Sequence, residues 1–403
     1  MHHTKVMTHH TAQSAHPKPQ RLLALDILRG ITIAGMILVN NPGSWGHIYA
    51  PLEHASWNGL TPTDLVFPFF MFIMGVSSYF SLRKYDFKPS RSAILKILRR
   101  TAVIFLIGLA IAWFGRFLRG ILSDKTFVEA AFDLSHLRIL GVMPRLALCY
   151  GIASLAAIFL GRRRIPALVV TLLLAYTVIL LAGNGYAFTE TNLLYIVDHA
   201  VLGADHLYTD TIDGISLAFD PEGLLSTIAA IAHTLIGFLC GGMIVNTKDN
   251  THRINKLFVI GTILTFAGLL MSYGLPINKK IWSPTFVLTT CGLASLFLGL
   301  LIWIIDIKGY RRWSRFFESF GINPLFMYCL GAVLSIIIGA VKVPYAAAET
   351  GMISIKGWLY DAVLTPLAGG DLTLASLLFA LAFVTFNWCI GYILYKKQIY
   401  IKI

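Results

Sequence analysis

The sequence predicts an all-α fold, a polytopic membrane helix bundle of about ten transmembrane helices with both termini in the cytoplasm. Three observations carry that reading. Of the 403 residues, 56% are hydrophobic and only 13% are charged, where soluble domains carry about 25% charge. Several apolar runs exceed the ~18 residues that suffice to cross a bilayer. Lysines and arginines cluster in alternate segments between those runs, as expected when positive charge is retained on the cytoplasmic face.

In chain order the spans fall at roughly 22–40, 64–82, 98–118, 138–160, 165–182, 225–245, 257–274, 285–305, 320–340 and 372–395. Lys5, Lys18 and Arg21 precede the first. The second and third are separated by Arg83, Lys84, Lys88, Arg91, Lys96, Arg99 and Arg100, and the fourth and fifth by Arg162, Arg163 and Arg164. Lys248, Arg253 and Lys256 follow the sixth; Lys308, Arg311, Arg312 and Arg315 follow the eighth; Lys396, Lys397 and Lys402 follow the tenth. The segment 183–224 has no lysine or arginine and carries Glu190, Asp198, Asp205, Asp210, Asp213, Asp220 and Glu222. That asymmetry places both termini in the cytoplasm, and the acidic segment on the opposite side together with the loop that holds His54.

No linker rich in Pro, Gly or Ser divides the chain, so residues 21–403 read as one transmembrane domain. Residues 1–20 hold five of the twelve histidines, His2, His3, His9, His10 and His16, and read as a disordered cytoplasmic tail. The formal charge of +13 sits beside the apolar runs, without the aromatic-interleaved groove of a nucleic-acid binder. The five cysteines lie inside apolar runs without CxxC or His-paired spacing, so they read as packing residues, and neither a disulfide framework nor a metal site is expected.

Polar groups at membrane boundaries are the candidates for chemistry. His54 lies in Glu53-His54-Ala55-Ser56-Trp57-Asn58-Gly59-Leu60-Thr61, just before Asp64 opens the second span. Histidine titrates near neutral pH and can act as base or nucleophile; an ordinary interfacial loop also favours Trp and His. Asp64 can cap its helix or orient an imidazole. Asn40 and Asn41 precede Pro42-Gly43 in a turn whose amides are free to bind a ligand or to cap the first helix. Trp57 can stack on a sugar ring or anchor the loop. Asp26 and Arg29 are three apart and can pair on one helix face; Arg29 can also meet an anionic ligand. Arg145 has no acid three or four residues away and needs a partner on another helix, a lipid phosphate or an anionic ligand. Asp220-Pro221-Glu222 reads as a helix start. Lys279 and Lys280 break the charge rule, which calls for the acidic segment or a bound anion beside them. Asn323-Pro324 interrupts the ninth span. Serine-nucleophile, P-loop and dinucleotide patterns are absent.

These blocks resemble a known family. Leu25-Asp26-Ile27-Leu28-Arg29-Gly30, Val39-Asn40-Asn41-Pro42-Gly43, His54-Ala55-Ser56-Trp57-Asn58-Gly59-Leu60-Thr61, Asp64-Leu65-Val66-Phe67-Pro68-Phe69-Phe70, Pro144-Arg145-Leu146-Ala147, Asp220-Pro221-Glu222-Gly223 and Asn278-Lys279-Lys280-Ile281-Trp282-Ser283 follow one another as in the transmembrane acetyltransferases of the heparan-alpha-glucosaminide N-acetyltransferase type, with their bacterial DUF5009-type homologues. The resemblance spans roughly residues 21–395. It implies acetyl transfer from cytoplasmic acetyl-CoA, with no metal, to an amino sugar or glycan on the far side of a bacterial inner membrane. His54 matches the active-site histidine, Asn40 an amide near the thioester, and Arg145 an arginine facing the CoA moiety. The sequence departs from the lysosomal pattern at Asn41-Pro42, where an aromatic-glycine run stands, and in a longer loop before His54.

The expected site is therefore His54, Asn40 and Asp64 for catalysis, with Asn41, Trp57, Asn58, Glu222, Lys279 and Trp282 on the acceptor, and Arg29 and Arg145 on the donor. Membrane lipid and a homodimer partner complete the expectation; nucleic acid does not. A multi-pass transporter of a sugar or anionic solute, using Arg145 and Asp64 as its sites, is the alternative.

Overall fold

The computed structural model describes residues 22–349 and 351–401. The histidine-rich stretch expected to be a disordered tail lies outside them, as do Arg21 and Lys402. The chain is a helix bundle. Its helices are α1 Leu23–Val39, α2 Val66–Leu82, α3 Arg91–Ile121, α4 Phe127–Phe132, α5 Val142–Phe159, α6 Ile165–Ala182, α7 Leu193–Leu202, α8 Ser226–Val245, α9 Asn250–Met271, α10 Pro284–Leu301, α11 Arg315–Ile322, α12 Pro324–Ala340, the short α13 Ile355–Trp358 and α14 Thr365–Leu367, and α15 Leu372–Lys396. Two small antiparallel hairpins interrupt them: β1 Asp210–Ile212 with β2 Ile215–Leu217, and β3 Lys342–Pro344 with β4 Met352–Ser354.

Among the described residues, eight helices are long and apolar enough to cross a membrane, or nine if a bent pair counts as one span. All ten segments read from the sequence are helical, but α1 has 17 residues, at the lower limit for a span. The ninth segment is two helices, α11 and α12, bent by 90°. Pro324 explains the break. It lacks an N–H and disfavours helical backbone at the residue before it, and Asn323 indeed leaves the helical region at ψ 56°. Two helices run further on their basic side than their apolar stretch predicts: α3 starts at Arg91, capped by Ser90 Oγ accepting from Ala93 N at 3.2 Å, and α9 starts at Asn250, capped by Asp249.

The pair α2 and α8 forms the centre of the bundle, and small residues set its spacing. A Cβ on Gly237 would lie 2.2 Å from the Phe72 carbonyl oxygen, and one on Gly75 2.0 Å from the Thr234 oxygen. Lipid tails are as apolar as leucine, so close backbone approach replaces the hydrophobic effect as the source of helix cohesion. Phe72, Val76, Ala230 and Leu235 close around this contact, each fully buried.

Three connections gather at one end of the bundle: the His54 loop, the segment between α6 and α8, and the turn between α9 and α10. Gly59 N donates to Ile277 O at 2.7 Å, Trp57 Nε1 to Tyr186 O at 2.7 Å, and Asn278 Nδ2 to Asn58 Oδ1 at 3.2 Å. The arginine-rich turns after α2 and α5 meet at the other end.

Gly237→Ala is expected to destabilise the protein by about 1–3 kcal/mol, the usual cost of forcing a methyl into a packed interface. Gly274→Ala, where a Cβ meets nothing within 4 Å, is the matched control. Equal thermal stability of the two variants in detergent would refute the close-approach account.

Candidate active site

Asp64 organises the site. It stands in a single 3-10 turn, Pro62–Leu65, that leads into α2, and it is 1% exposed. Its Oδ2 accepts from Thr61 N at 3.1 Å, from Thr61 Oγ1 at 3.0 Å and from Ala55 N at 3.1 Å. Its Oδ1 faces His54 Nδ1 at 2.7 Å and Lys279 Nζ at 3.2 Å. Capping and imidazole orientation, alternatives in the sequence, are thus divided between two oxygens of one carboxylate.

With Nδ1–H donated to Asp64, Nε2 is the ring nitrogen left as an acceptor. Lys279 Nζ approaches the same ring, 2.9 Å from Nδ1 and 3.5 Å from Nε2. Burial pushes the Lys279 ammonium below its ordinary pKa, and the nearby Asp64 and Glu222 carboxylates offset only part of that.

These groups line a cavity of about 370 Å³ that also takes in Asn40, Trp45, Arg138, Tyr208, Asp210, Glu222 and Lys280, a size typical of small-ligand sites. Every charge on its wall is matched. Lys280 Nζ meets Asp210 Oδ2 at 2.5 Å. Arg138 donates through Nε and Nη2 to Asp220 at 2.8 and 2.6 Å, and through Nη2 to Glu222 at 2.5 Å. Burial opposes the Arg138 charge, but the two carboxylates outweigh it and keep the guanidinium protonated. A second groove of about 190 Å³ between α1 and α12 shares Met36 and Asn40 with this cavity.

Of the residues singled out in the sequence, His54, Asn40, Asp64, Glu222 and Lys279 come together here. The others take different places. Asn41 is buried, its Nδ2 bonded to Ile37 O at 2.7 Å. Asn58 bonds Asn278. Trp57 packs between Phe188 and Phe219, at 5.2 and 5.4 Å between ring centres. Trp282 is 1% exposed, against Phe67, His233 and Phe286. Arg145 is fully buried over the Trp282 ring, with Nη2 donating to Gly223 O at 2.9 Å and to Ser226 Oγ, while its Nε and Nη1 find no hydrogen-bond partner among the described residues. Arg29 lies further down α1, bonded to Asp26 Oδ1 at 3.1 Å and Ser77 Oγ at 2.9 Å.

Arg138, Trp45 and Tyr208 line the cavity although no motif in the sequence marks them, and Asp210 comes from the acidic segment. Arg138 carried a signal: like Lys279 and Lys280, it is a cation on the side where the charge rule leaves few. The helix start read at Pro221 is displaced to Ser226. Asp220 stands six residues before that start and does not cap it; its oxygens accept from Arg138, from Glu222 N at 2.9 Å and from Tyr208 N at 3.2 Å.

Behind the cavity wall, Asp198 in α7 is 3% exposed and accepts from Leu224 N at 2.8 Å. Burial raises its pKa to about 6, with the Asp220 charge acting the same way. Between the ordinary carboxylate value and about 6 the folded chain holds more protons than the unfolded one, so this group loses stability as pH rises through that window. Asp198→Asn is therefore expected to raise the thermal unfolding midpoint at pH 7.5 and to leave it unchanged near pH 4. A uniform shift at both pH values would exclude the ionisation as its cause.

No family model matches the chain. It is similar to heparan-alpha-glucosaminide N-acetyltransferase of Homo sapiens, 28% identical in an alignment of length 362 that covers 77% of this chain and 52% of that protein. The Mus musculus protein of the same name is likewise 28% identical, over 76% of this chain and 53% of its own. The chain spans about half the length of these curated relatives.

Proposed function

We propose that this protein is an integral-membrane acetyltransferase of a bacterial cytoplasmic membrane. It moves an acetyl group from acetyl-CoA on the cytoplasmic side to the amine of an amino sugar or related glycan on the other side. The observation that carries this reading is the Asp64–His54–Lys279 cluster inside a cavity that shares Asn40 with a groove along α1. The similarity to two curated acetyltransferases supports the same chemistry.

The proposed donor path follows α1. Arg29, Met36 and Asn40 stand seven and four residues apart, a stripe on one helix face about 16 Å long at 1.5 Å per residue. The donor's phosphates belong near Arg29, its extended arm in the α1–α12 groove, and its thioester at Asn40, whose amide donates to the carbonyl oxygen as charge develops there. An acceptor amine attacks the thioester carbon while its proton passes to His54 Nε2. The C–S bond breaks, and the departing thiolate takes the proton back. In the two-step form, Nε2 attacks the thioester carbon and the C–S bond breaks to release the thiolate; the amine then attacks the acetyl-imidazole, the bond to Nε2 breaks, and the amine's proton ends on the thiolate. In both, Asp64 holds the tautomer and Lys279 fixes Asp64. Trp45, at the cavity rim and 61% exposed, offers the ring face for a sugar that the packed Trp57 does not. Arg145, beneath the Gly223 carbonyl, supports the Glu222 wall, and any donor contact by it requires the unpartnered Nε and Nη1 to become reachable.

His54→Ala is expected to lower acetyl transfer from labelled acetyl-CoA by ~10²–10⁴-fold, the range for loss of a general base. A larger loss favours the covalent route, which acid-quenched mass spectrometry of donor-only samples detects as an acetylated histidine. Parent-like turnover by folded His54→Ala protein would sink the assignment. In sealed vesicles an enzyme places label covalently on an external acceptor, whereas a transporter moves an intact solute.

The orientation has its own test. In a cysteine-free background, Ser44→Cys and Asp205→Cys are expected to react with an impermeant thiol reagent added outside intact cells, and Ser90→Cys only after the membrane is opened. Labelling of position 90 in intact cells would overturn transmembrane transfer in this direction.

A further inference from the structure

At the end of the bundle opposite His54, a basin of about 680 Å³ opens among the turns after α2, α5 and α8. Arg83, Arg162, Arg163 and Arg164 line it, with Asp86 and Asn246. Asp86 offsets one of the four positive charges. Among the described residues, none of the four guanidiniums has a carboxylate at ion-pair distance.

The basin is a built feature. Asp86 and Phe87 both adopt left-handed backbone, at φ 51° and 54°, a region that disfavours bulky side chains. Aspartate tolerates this region and phenylalanine does not, so tertiary packing must hold it. The Phe87 ring sits 4.7 Å from Tyr79 and 5.9 Å from Phe238, and Arg162 stacks over its outer face at 5.8 Å. On the other side, Gly161 at φ 76° reverses the chain after α5, a left-handed helix stop that suits glycine. The arginine run then turns over the helix ends.

Next to this charge lies apolar surface. Leu160 lines the basin. Ile152 and Phe159, seven residues apart on α5, are exposed, as are Val170, Leu174, Val178 and Leu181 along α6. The packed α2–α8 contact lies between the basin and the His54 cavity, and the basin shares no lining residue with that cavity or with the α1–α12 groove.

We infer that this basin binds the phosphodiester headgroup of an anionic phospholipid, with the acyl chains lying on the exposed faces of α5 and α6. Guanidinium forks suit phosphate oxygens, and basic pockets between helix ends on the cytoplasmic face take such headgroups. The site is independent of the acetyl-transfer reading and depends only on the bundle lying in a membrane.

The test uses full-length protein and native mass spectrometry after incubation with equal amounts of phosphatidylglycerol and phosphatidylcholine. The parent is expected to retain phosphatidylglycerol preferentially. Arg83→Gln should weaken that retention about fivefold, the factor for ~1 kcal/mol per basic residue at a membrane surface. Combined Arg162→Gln, Arg163→Gln and Arg164→Gln should reduce it to the phosphatidylcholine level, and the corresponding triple Arg→Lys variant should restore part of it. Parent-like preference in both Gln variants would overturn the proposal. So would loss of adenosine 3′,5′-bisphosphate binding with lipid preference intact, which would assign the basin to a nucleotide.

Discussion

The Asp64 carboxylate is the interaction on which the His54 end of the molecule depends. Five donors from three places in the sequence converge on its two oxygens: Ala55 N and His54 from the loop, both donors of Thr61, and Lys279 from a turn more than two hundred residues later. A buried carboxylate is tolerable only when so satisfied. The same satisfaction ties the start of α2, the His54 loop and the α9–α10 turn into one unit. Removing the charge would free the imidazole and leave Lys279 a buried cation without its nearest anion.

Much of this was legible in the sequence, for specific reasons. Span positions follow from apolar run length, which the bilayer enforces directly. The His54–Asp64 pairing was legible because the two residues are ten apart and Asp64 stands at a helix start. Lys279 and Lys280 were marked by being cations in the wrong place, and the acids they required turned out to be Asp64 and Asp210. Arg138 carried the same mark, but its partners were not legible, because they lie more than eighty residues away and nothing local selects them. The roles of the tryptophans were equally hidden. Trp45 and Trp57 sit in the same polar connection between α1 and α2, but Trp57 packs against Phe188 and Phe219 while Trp45 stays exposed on the cavity wall. The break at Asn323-Pro324 was readable as an interruption; its 90° angle was not, since that depends on how α11 packs against α1.

The bundle also separates rigidity from chemistry. Backbone contact through Gly75 and Gly237 leaves no room for adjustment between α2 and α8, so the two ends of α2 hold fixed positions. One end presents the 3-10 turn with Asp64, the other the Phe87 loop and the arginine basin. Each end builds its polar site largely from turns, where backbone donors and side chains are free, while α2 and α8 between them supply spacing and burial.

The segment between α6 and α8 has a consequence for how such a protein diversifies. Tyr208, Asp210 and Glu222, one side of the cavity, come from this insert, which is fastened to the rest by ion pairs to Lys280 and Arg138. His54, Asp64 and Asn40 belong to the span ends. The insert is therefore a cassette: its hairpin can change, and with it the shape and charge of one cavity wall, without disturbing the hydrogen bonds that hold Asp64 and His54, provided an acid remains to meet Arg138.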